Sequence, residues 1–117
     1  MQVELYFPLN HSNKEIRQNV ILALGEIGHP DAVKPLLSYL NDPDRVIQSQ
    51  VIKALGSIKD PRATEPLIMA FKDQKTHYTI KEKIADALIQ MDDPQAVKLL
   101  IDVLKQKDYK DETQTRA

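Results

Sequence analysis

The feature that most constrains the fold is a short segment that recurs along the chain. Residues 23–27 read A-L-G-E-I, and residues 54–58 read A-L-G-S-I, at an offset of 31 (54 − 23). A third copy at residues 87–91 reads A-L-I-Q-M and follows at an offset of 33 (87 − 54). A period of this length is typical of architectures in which similar units stack and each contacts only its neighbours.

Each copy carries two apolar runs with helical spacing, separated by a short break that contains proline. The first run follows i, i+4, i+7, i+8, i+11 and the second follows i, i+4, i+7, i+8, so each run predicts a helix with one buried face. The first helices carry Ile16, Val20, Ala23, Leu24 and Ile27; Ile47, Val51, Ala54, Leu55 and Ile58; and Ile80, Ile84, Ala87, Leu88 and Met91. The return helices carry Ala32, Leu36, Tyr39 and Leu40; Ala63, Leu67, Ala70 and Phe71; and Ala96, Leu100, Val103 and Leu104.

A second apolar row on the return helices shows how the copies are arranged. Leu37, Ile68 and Ile101 occupy the same place in each copy. One helix pair cannot bury two stripes alone, so the second stripe is expected to pack against the next pair. The sequence therefore predicts an all-α fold, a right-handed solenoid of three stacked antiparallel helix pairs at residues 12–42, 43–73 and 74–105.

Local signals place the helix boundaries. Ser12 opens an S-x-x-E capping box, and Gly28 is placed for a left-handed helix end. Three Asp-Pro pairs are expected to act as N-cap and first helical residue. They are Asp42-Pro43, Asp60-Pro61 and Asp93-Pro94.

Glycine and proline inside the helices need their own explanations. Gly25 and Gly56 lie within first helices, where we expect them to allow close approach of the return helix. Pro35 and Pro66 lie one turn inside the return helices, where we expect them to bend the first turn.

These motifs resemble a known repeat. The unit A-L-G-x-I-x-D-P-x-A-x-x-P-L is similar to the HEAT-like repeat, in the 31-residue form also found in phycobilisome lyases, over residues 12–105. The third copy departs from it at Ile89 and Leu99, as suits a terminal unit. The resemblance implies a solenoid that presents a concave surface, lined by the return helices, to another protein.

The two ends of the chain lie outside the repeats. Residues 1–11 contain Leu5, Tyr6, Phe7 and Leu9 and are expected to form a cap over the first pair; the alternative is the end of a further repeat. Residues 106–117 are expected to form a polar tail that continues the last helix briefly and then frays. A poorly capped end would also permit self-association.

Composition narrows the function classes. The 16 basic and 17 acidic residues give a net charge of −1, which argues against a nucleic-acid partner. No cysteine is present, and no apolar run is long enough to span a membrane, so we expect a cytoplasmic protein without a membrane partner. His11, His29 and His77 fall at opposite edges of the repeats and predict no metal site. We find no catalytic set and expect no cofactor.

The candidate partner-binding surface is the exposed side of the return helices. Aligning the copies gives nine positions in three rows: Lys34, Glu65 and Lys98; Ser38, Met69 and Asp102; Asn41, Lys72 and Lys105. Met69 is an adaptable apolar side chain on a polar face, a candidate anchor. The polar insertion at residues 72–79 ends in His77-Tyr78 and could contact a partner or be neutral drift. The nine positions could equally be ordinary solvated surface.

Three hypotheses for function follow. The favoured one is a non-enzymatic scaffold that binds another protein on the concave face. The second, from the resemblance, is an enzyme or chaperone subunit similar to phycobilin lyases. The third is nucleic-acid binding, which a balanced charge and the absence of tryptophan make the weakest.

Overall fold

In the computed structural model, residues 13–116 are described, with side chains for residues 13–105. All regular structure in this part of the chain is helical. Three helix pairs follow one another, each with a first helix (α1, α3, α5) and a return helix (α2, α4, α6). The bounds are α1 Lys14–Ile27, α2 Val33–Leu37, α3 Arg45–Ile58, α4 Thr64–Lys72, α5 Tyr78–Met91 and α6 Pro94–Arg116.

The pairs stack through their first helices, because α3 packs against α1 on one side and against α5 on the other. The return helices complete the core from the opposite side, where α2 contacts α3 and α4 contacts both α5 and α6. The prediction of an all-α solenoid built from stacked helix pairs is confirmed.

A polar N-cap residue precedes each first helix, but not at the positions that the sequence predicted. The N-cap of α1 is Asn13, whose Oδ1 accepts from the amides of Glu15 and Ile16; the expected cap, Ser12, lies outside the described residues. The N-cap of α3 is Asp44, so the expectation for Asp42-Pro43 was wrong.

The sequence around Asp42 explains the error. Asp42 Oδ1 accepts from the amide of Asp44 at 2.8 Å, so it forms a turn that prepares the cap instead of being the cap. Asp44 is also held by Lys14 Nζ at 2.9 Å, which joins the starts of α1 and α3. This lysine lowers the pKa of the Asp44 carboxyl.

All three first helices end in the left-handed conformation. Gly28 has φ 72°, as predicted, and Lys59 and Asp92 have φ 61° and 53° at the equivalent positions. In each case the cap amide donates to the carbonyl four residues earlier. Lysine and aspartate adopt this conformation at a cost of about 1–2 kcal/mol, which packing must offset.

The return helices of the first two pairs begin with a 3-10 turn, Pro30–Ala32 and Pro61–Ala63. Pro35 and Pro66 then fall in the first turn of the α-helical part, where an amide has no helical partner to lose. The expected bend of the first turn at these prolines stays a prediction. Asp60 caps its turn through the amide of Arg62, and Asp93 accepts from the amide of Gln95 in the first turn of α6.

The middle pair is the best buried. Ile47, Val51, Leu55 and Leu67 are fully buried, and Ile68 of the second return-helix row is 2% exposed. Ile68 is buried because the third pair packs against α4. The two-stripe interpretation is therefore correct for a pair that has neighbours on both sides.

At the two ends of the described stack the predicted stripes are open, which corrects the sequence analysis. Ile27 is 72% exposed and Ala23 is also exposed, because no described residue packs on this side of α1. Ile101 and Leu104 are 47% and 60% exposed in α6 for the same reason. The predicted cap at residues 1–11 lies outside the described residues.

The two helical glycines serve a different contact from the predicted one. A Cβ on Gly25 would lie 2.8 Å from Ala54 Cβ, and a Cβ on Gly56 would lie 3.1 Å from Ala87 Cβ. Both neighbours belong to the first helix of the next pair, not to the return helix. The glycines therefore set the distance between successive first helices.

Polar bonds also join successive pairs along the edge where the return helices begin. Arg62 Nη2 donates to the Pro30 carbonyl at 3.1 Å while the same guanidinium pairs with Asp60. The hydroxyl of Thr64, which is fully buried, donates to Asp93 Oδ2 at 2.7 Å. Arg62 lowers the pKa of the Asp60 carboxyl through these hydrogen bonds.

The return helices differ widely in length. Helix α2 ends at Leu37 because the Ser38 hydroxyl donates to the Pro35 carbonyl at 2.6 Å, and the Tyr39 amide bonds Leu36 instead. Helix α6 continues to Arg116, so the expectation of only a brief extension is wrong, while the expected fraying stays a prediction. No glycine or proline follows Pro94 in this helix, so nothing in the sequence breaks it.

Candidate interaction surface

The nine predicted positions on the return helices are all exposed, and we call them the return-helix face. Lys34 lies in α2, and Ser38 and Asn41 lie in the turn that follows. Glu65, Met69 and Lys72 lie one turn apart on α4, and Lys98, Asp102 and Lys105 do so on α6. The exposure of all nine side chains is seen directly in the structure.

Met69 is the largest apolar contribution to this face. It is 62% exposed, although its helix neighbours Leu67 and Ile68 are 0% and 2% exposed. Its flexible thioether side chain can adapt to irregular apolar surfaces. The face therefore presents one apolar side chain among charged ones.

The charged groups of the face carry no internal pairing. Lys34, Lys72, Lys98 and Lys105 stand with Glu65 and Asp102, and none of the six takes part in an ion pair or side-chain hydrogen bond among residues 13–105. A partner would not have to break salt bridges to reach them.

The insertion before α5 is ordered by its own hydrogen bonds. Asp73 Oδ1 accepts from the amide of Lys75, and the Thr76 hydroxyl donates to the Ala70 carbonyl at 2.8 Å. His77 is the N-cap of α5, with Nδ1 accepting from the amide of Thr79 at 3.2 Å. Tyr78 is 64% exposed and its ring lies 4.7 Å from that of His77.

The histidines have a structural role that the sequence analysis missed. His29 Nδ1 accepts from the amide of Asp31 at 3.0 Å, as His77 Nδ1 does from Thr79. His29 caps the turn that begins a return helix, as Asp60 does in the middle pair. His77 caps the start of the first helix α5. The position of His29 immediately before proline, as in the Asp-Pro pairs, was the signal available. His11 lies outside the described residues.

Two further properties of the described chain bear on function. Among the residues whose positions are described, no group of three or more histidine, cysteine, aspartate or glutamate side chains could hold a metal ion. Within the same part of the chain, no helix combines the length and the apolar character needed to cross a bilayer.

Comparison with known proteins gives one family. The family model for HEAT repeats matches residues 7–82, which is 76 of the 117 residues (82 − 7 + 1). This range covers the first two helix pairs and the start of α5. A search of curated proteins found no match.

Proposed function

Because the chain belongs to the HEAT repeat family, we propose that it is a non-enzymatic scaffold that binds a partner protein on the return-helix face. HEAT repeats stack into solenoids whose curvature creates extended concave binding surfaces. The partner would lie along the three return helices, on the side expected to be concave. The scaffold would act by holding its partner in one geometry.

The observation that carries the proposal is the alignment of nine exposed positions on three successive return helices around Met69. Contact hot spots join an adaptable or aromatic anchor to a surrounding polar rim. Met69 is the candidate anchor, and the unpaired lysines and carboxylates around it form the candidate rim. His77 and Tyr78 extend the proposed contact to the loop before α5.

The packing beneath the face favours a rigid binder. Leu36, Ala63 and Leu67, which belong to the first two return helices and the turns that begin them, are 1%, 0% and 0% exposed. A preformed surface avoids much of the ordering cost of association. The proposal therefore includes binding without rearrangement of the return helices.

The test is affinity capture from the native host's lysate with a triple variant, Ser38→Glu, Met69→Glu and Asp102→Lys. The matched control carries the same kinds of change on first helices: Ser57→Glu, Leu22→Glu and Glu26→Lys. All six positions are exposed, so both variants should fold, which circular dichroism would check.

The proposal predicts that one protein is retained by the wild type and by the control, and is lost from the return-helix variant. Equal retention by all three proteins would contradict binding on this face. A retained species that is coloured or is nucleic acid would contradict the non-enzymatic protein scaffold and favour the lyase-like or nucleic-acid alternative.

A further inference from the structure

A groove lies between the first helices of the second and third pairs, on the opposite side of each pair from the return helices. Its volume is about 440 Å³, within the range of roughly 300–1,000 Å³ typical of ligand pockets. Ser49, Gln50 and Lys53 line it from α3, and Lys83, Asp86, Ala87 and Gln90 line it from α5. We call it the first-helix groove.

The polar groups of this groove have no partners in the described chain. Neither Lys53 nor Lys83 takes part in an ion pair, and Asp86 accepts no hydrogen bond, among residues 13–105. Ser49 and Gln90 likewise make no side-chain hydrogen bond there. Surface lysines alone would mean little, but here every polar side chain of one concave site is unpaired.

Gln50 adds the most specific observation. Its Oε1 is buried and has no hydrogen-bond donor. A buried acceptor without a donor costs about 1–3 kcal/mol, and native proteins contain few of them. Gln50 lines the groove, so a rotation of its side chain would bring this oxygen within reach of an N–H group on a bound molecule.

The donors and acceptors together define the ligand. Lys53 and Lys83 supply two ammonium groups, which call for carboxylates, while Gln50 Oε1 calls for an N–H donor. An acidic polypeptide carries both, on its side chains and its backbone. We propose that the first-helix groove binds an acidic peptide segment of a protein.

Nucleic acid fits the same groove less well. A phosphate backbone would satisfy the lysines but offers no donor to Gln50, and the Asp86 carboxylate would repel it. Asp86 can instead accept from the hydroxyl or amide groups of a peptide. The site is separate from the return-helix face, so each proposal can fail without the other.

The direct test is a titration of the ¹⁵N-labelled full chain with acetyl-(Gly-Glu)₃-amide, followed by NMR. Acetyl-(Gly-Gln)₃-amide serves as the uncharged control peptide. The expected result is a saturable shift of amide signals in residues 49–53 and 83–90 with the glutamate peptide, and no saturable shift with the glutamine peptide.

Two variants test the chemistry. The Lys53→Glu/Lys83→Glu variant should weaken binding of the glutamate peptide by roughly tenfold or more, as expected for the loss of charge-assisted bonds. Gln50→Leu should also weaken it, while leaving the free protein as stable as the wild type or more stable, because the orphan acceptor is gone. Lys34→Glu/Lys98→Glu, on the return-helix face, is the matched control and should leave binding unchanged.

Three results would overturn the inference. One is the absence of saturable shifts in the groove at millimolar peptide, and another is equal weakening by the groove variant and the return-helix control. The third is a single-stranded oligonucleotide of the same charge that shifts residues 49–53 and 83–90 more strongly than the peptide does.

Discussion

Replacing Gly25 by alanine tests how closely the first helices of this protein approach one another. The new Cβ would lie 2.8 Å from Ala54 Cβ and 3.0 Å from Ala54 Cα. Ordinary contact begins at 3.4 Å, so the gap is short by 0.6 Å (3.4 − 2.8). The obstacle includes backbone, which cannot rotate away, so α1 and α3 must move apart.

Two opposing effects set the magnitude. Alanine favours the helix over glycine by about 0.5–1 kcal/mol, which would stabilise the variant. Overpacking a close contact costs typically about 1–3 kcal/mol. The second effect should win, so we expect Gly25→Ala to lower the free energy of unfolding by about 0.5–2 kcal/mol.

The measurement is urea unfolding of the full chain followed by circular dichroism, on the wild type, Gly25→Ala and four further variants, of which Ala54→Gly completes the double-mutant cycle. Gly56→Ala should cost less, because its closest contact, at 2.9 Å, is the movable end of Gln90 and the Ala87 atoms lie at 3.1 Å. Ile89→Ala changes the equivalent position of α5, which is 73% exposed, and should have little effect. Gly25→Ala/Ala54→Gly removes the 2.8 Å contact with the Ala54 Cβ but leaves the 3.0 Å contact with the Cα of residue 54, so the two changes should show a favourable coupling energy that recovers only part of the loss.

One result would refute the reasoning. If Gly25→Ala raised the free energy of unfolding by the amount that helix propensity alone gives, the close contact between α1 and α3 would not exist in solution. A smaller m-value in the variant, that is, a shallower slope of the free energy of unfolding against urea concentration, would instead indicate that the first pair had separated from the rest.

Three further predictions concern single residues. Leu67→Ala should cost about 2–5 kcal/mol in urea unfolding because the side chain is fully buried, whereas Met69→Ala, at a position 62% exposed, should change stability by less than about 0.5 kcal/mol; equal losses would contradict the burial. Arg62 lowers the pKa of the Asp60 carboxyl below its ordinary 3.8, so the ionised carboxylate stabilises the fold at pH values above 3.8. The advantage of wild type over Asp60→Asn in the free energy of unfolding should be constant near neutrality, begin to shrink below pH 3.8 and be lost as pH falls through the lowered folded-state pKa. An unchanged difference between neutral pH and about pH 3 would contradict the pairing. His77→Asp places a better N-cap at α5. It should raise the free energy of unfolding by about 0.5–1 kcal/mol, which thermal unfolding would show as a higher midpoint temperature. A lower midpoint would mean that the imidazole has another role.

The repeat made most of the fold predictable. Period, helix pairing and burial in the middle pair follow from apolar spacing alone, because Leu55 and Leu67 have neighbours on every side. The left-handed helix end at Gly28 was predictable because glycine has no Cβ and adopts a positive φ at little cost. The partner-binding assignment of the return-helix face was reached from sequence too, and it stays a prediction.

What escaped prediction depends on contacts between units. Periodicity shows that Gly25 is special but not which helix it faces, and the observed neighbour, Ala54, belongs to the next repeat. The exposure of Ile27 and Ile101 depends on where the described stack stops, which no periodic pattern contains. Gln50 reads as an ordinary polar residue until its buried oxygen is placed between two helices.

Asp93 has a consequence for how the chain unfolds. One of its oxygens receives the amide of Gln95, and the other receives the hydroxyl of Thr64 from the preceding pair. Peeling the third pair away would strip Thr64 of its acceptor and expose the buried surface around it in one step. An intermediate with two folded pairs loses both this bond and the buried contact around it, so the bond adds to the coupling between the last two units of an otherwise modular chain.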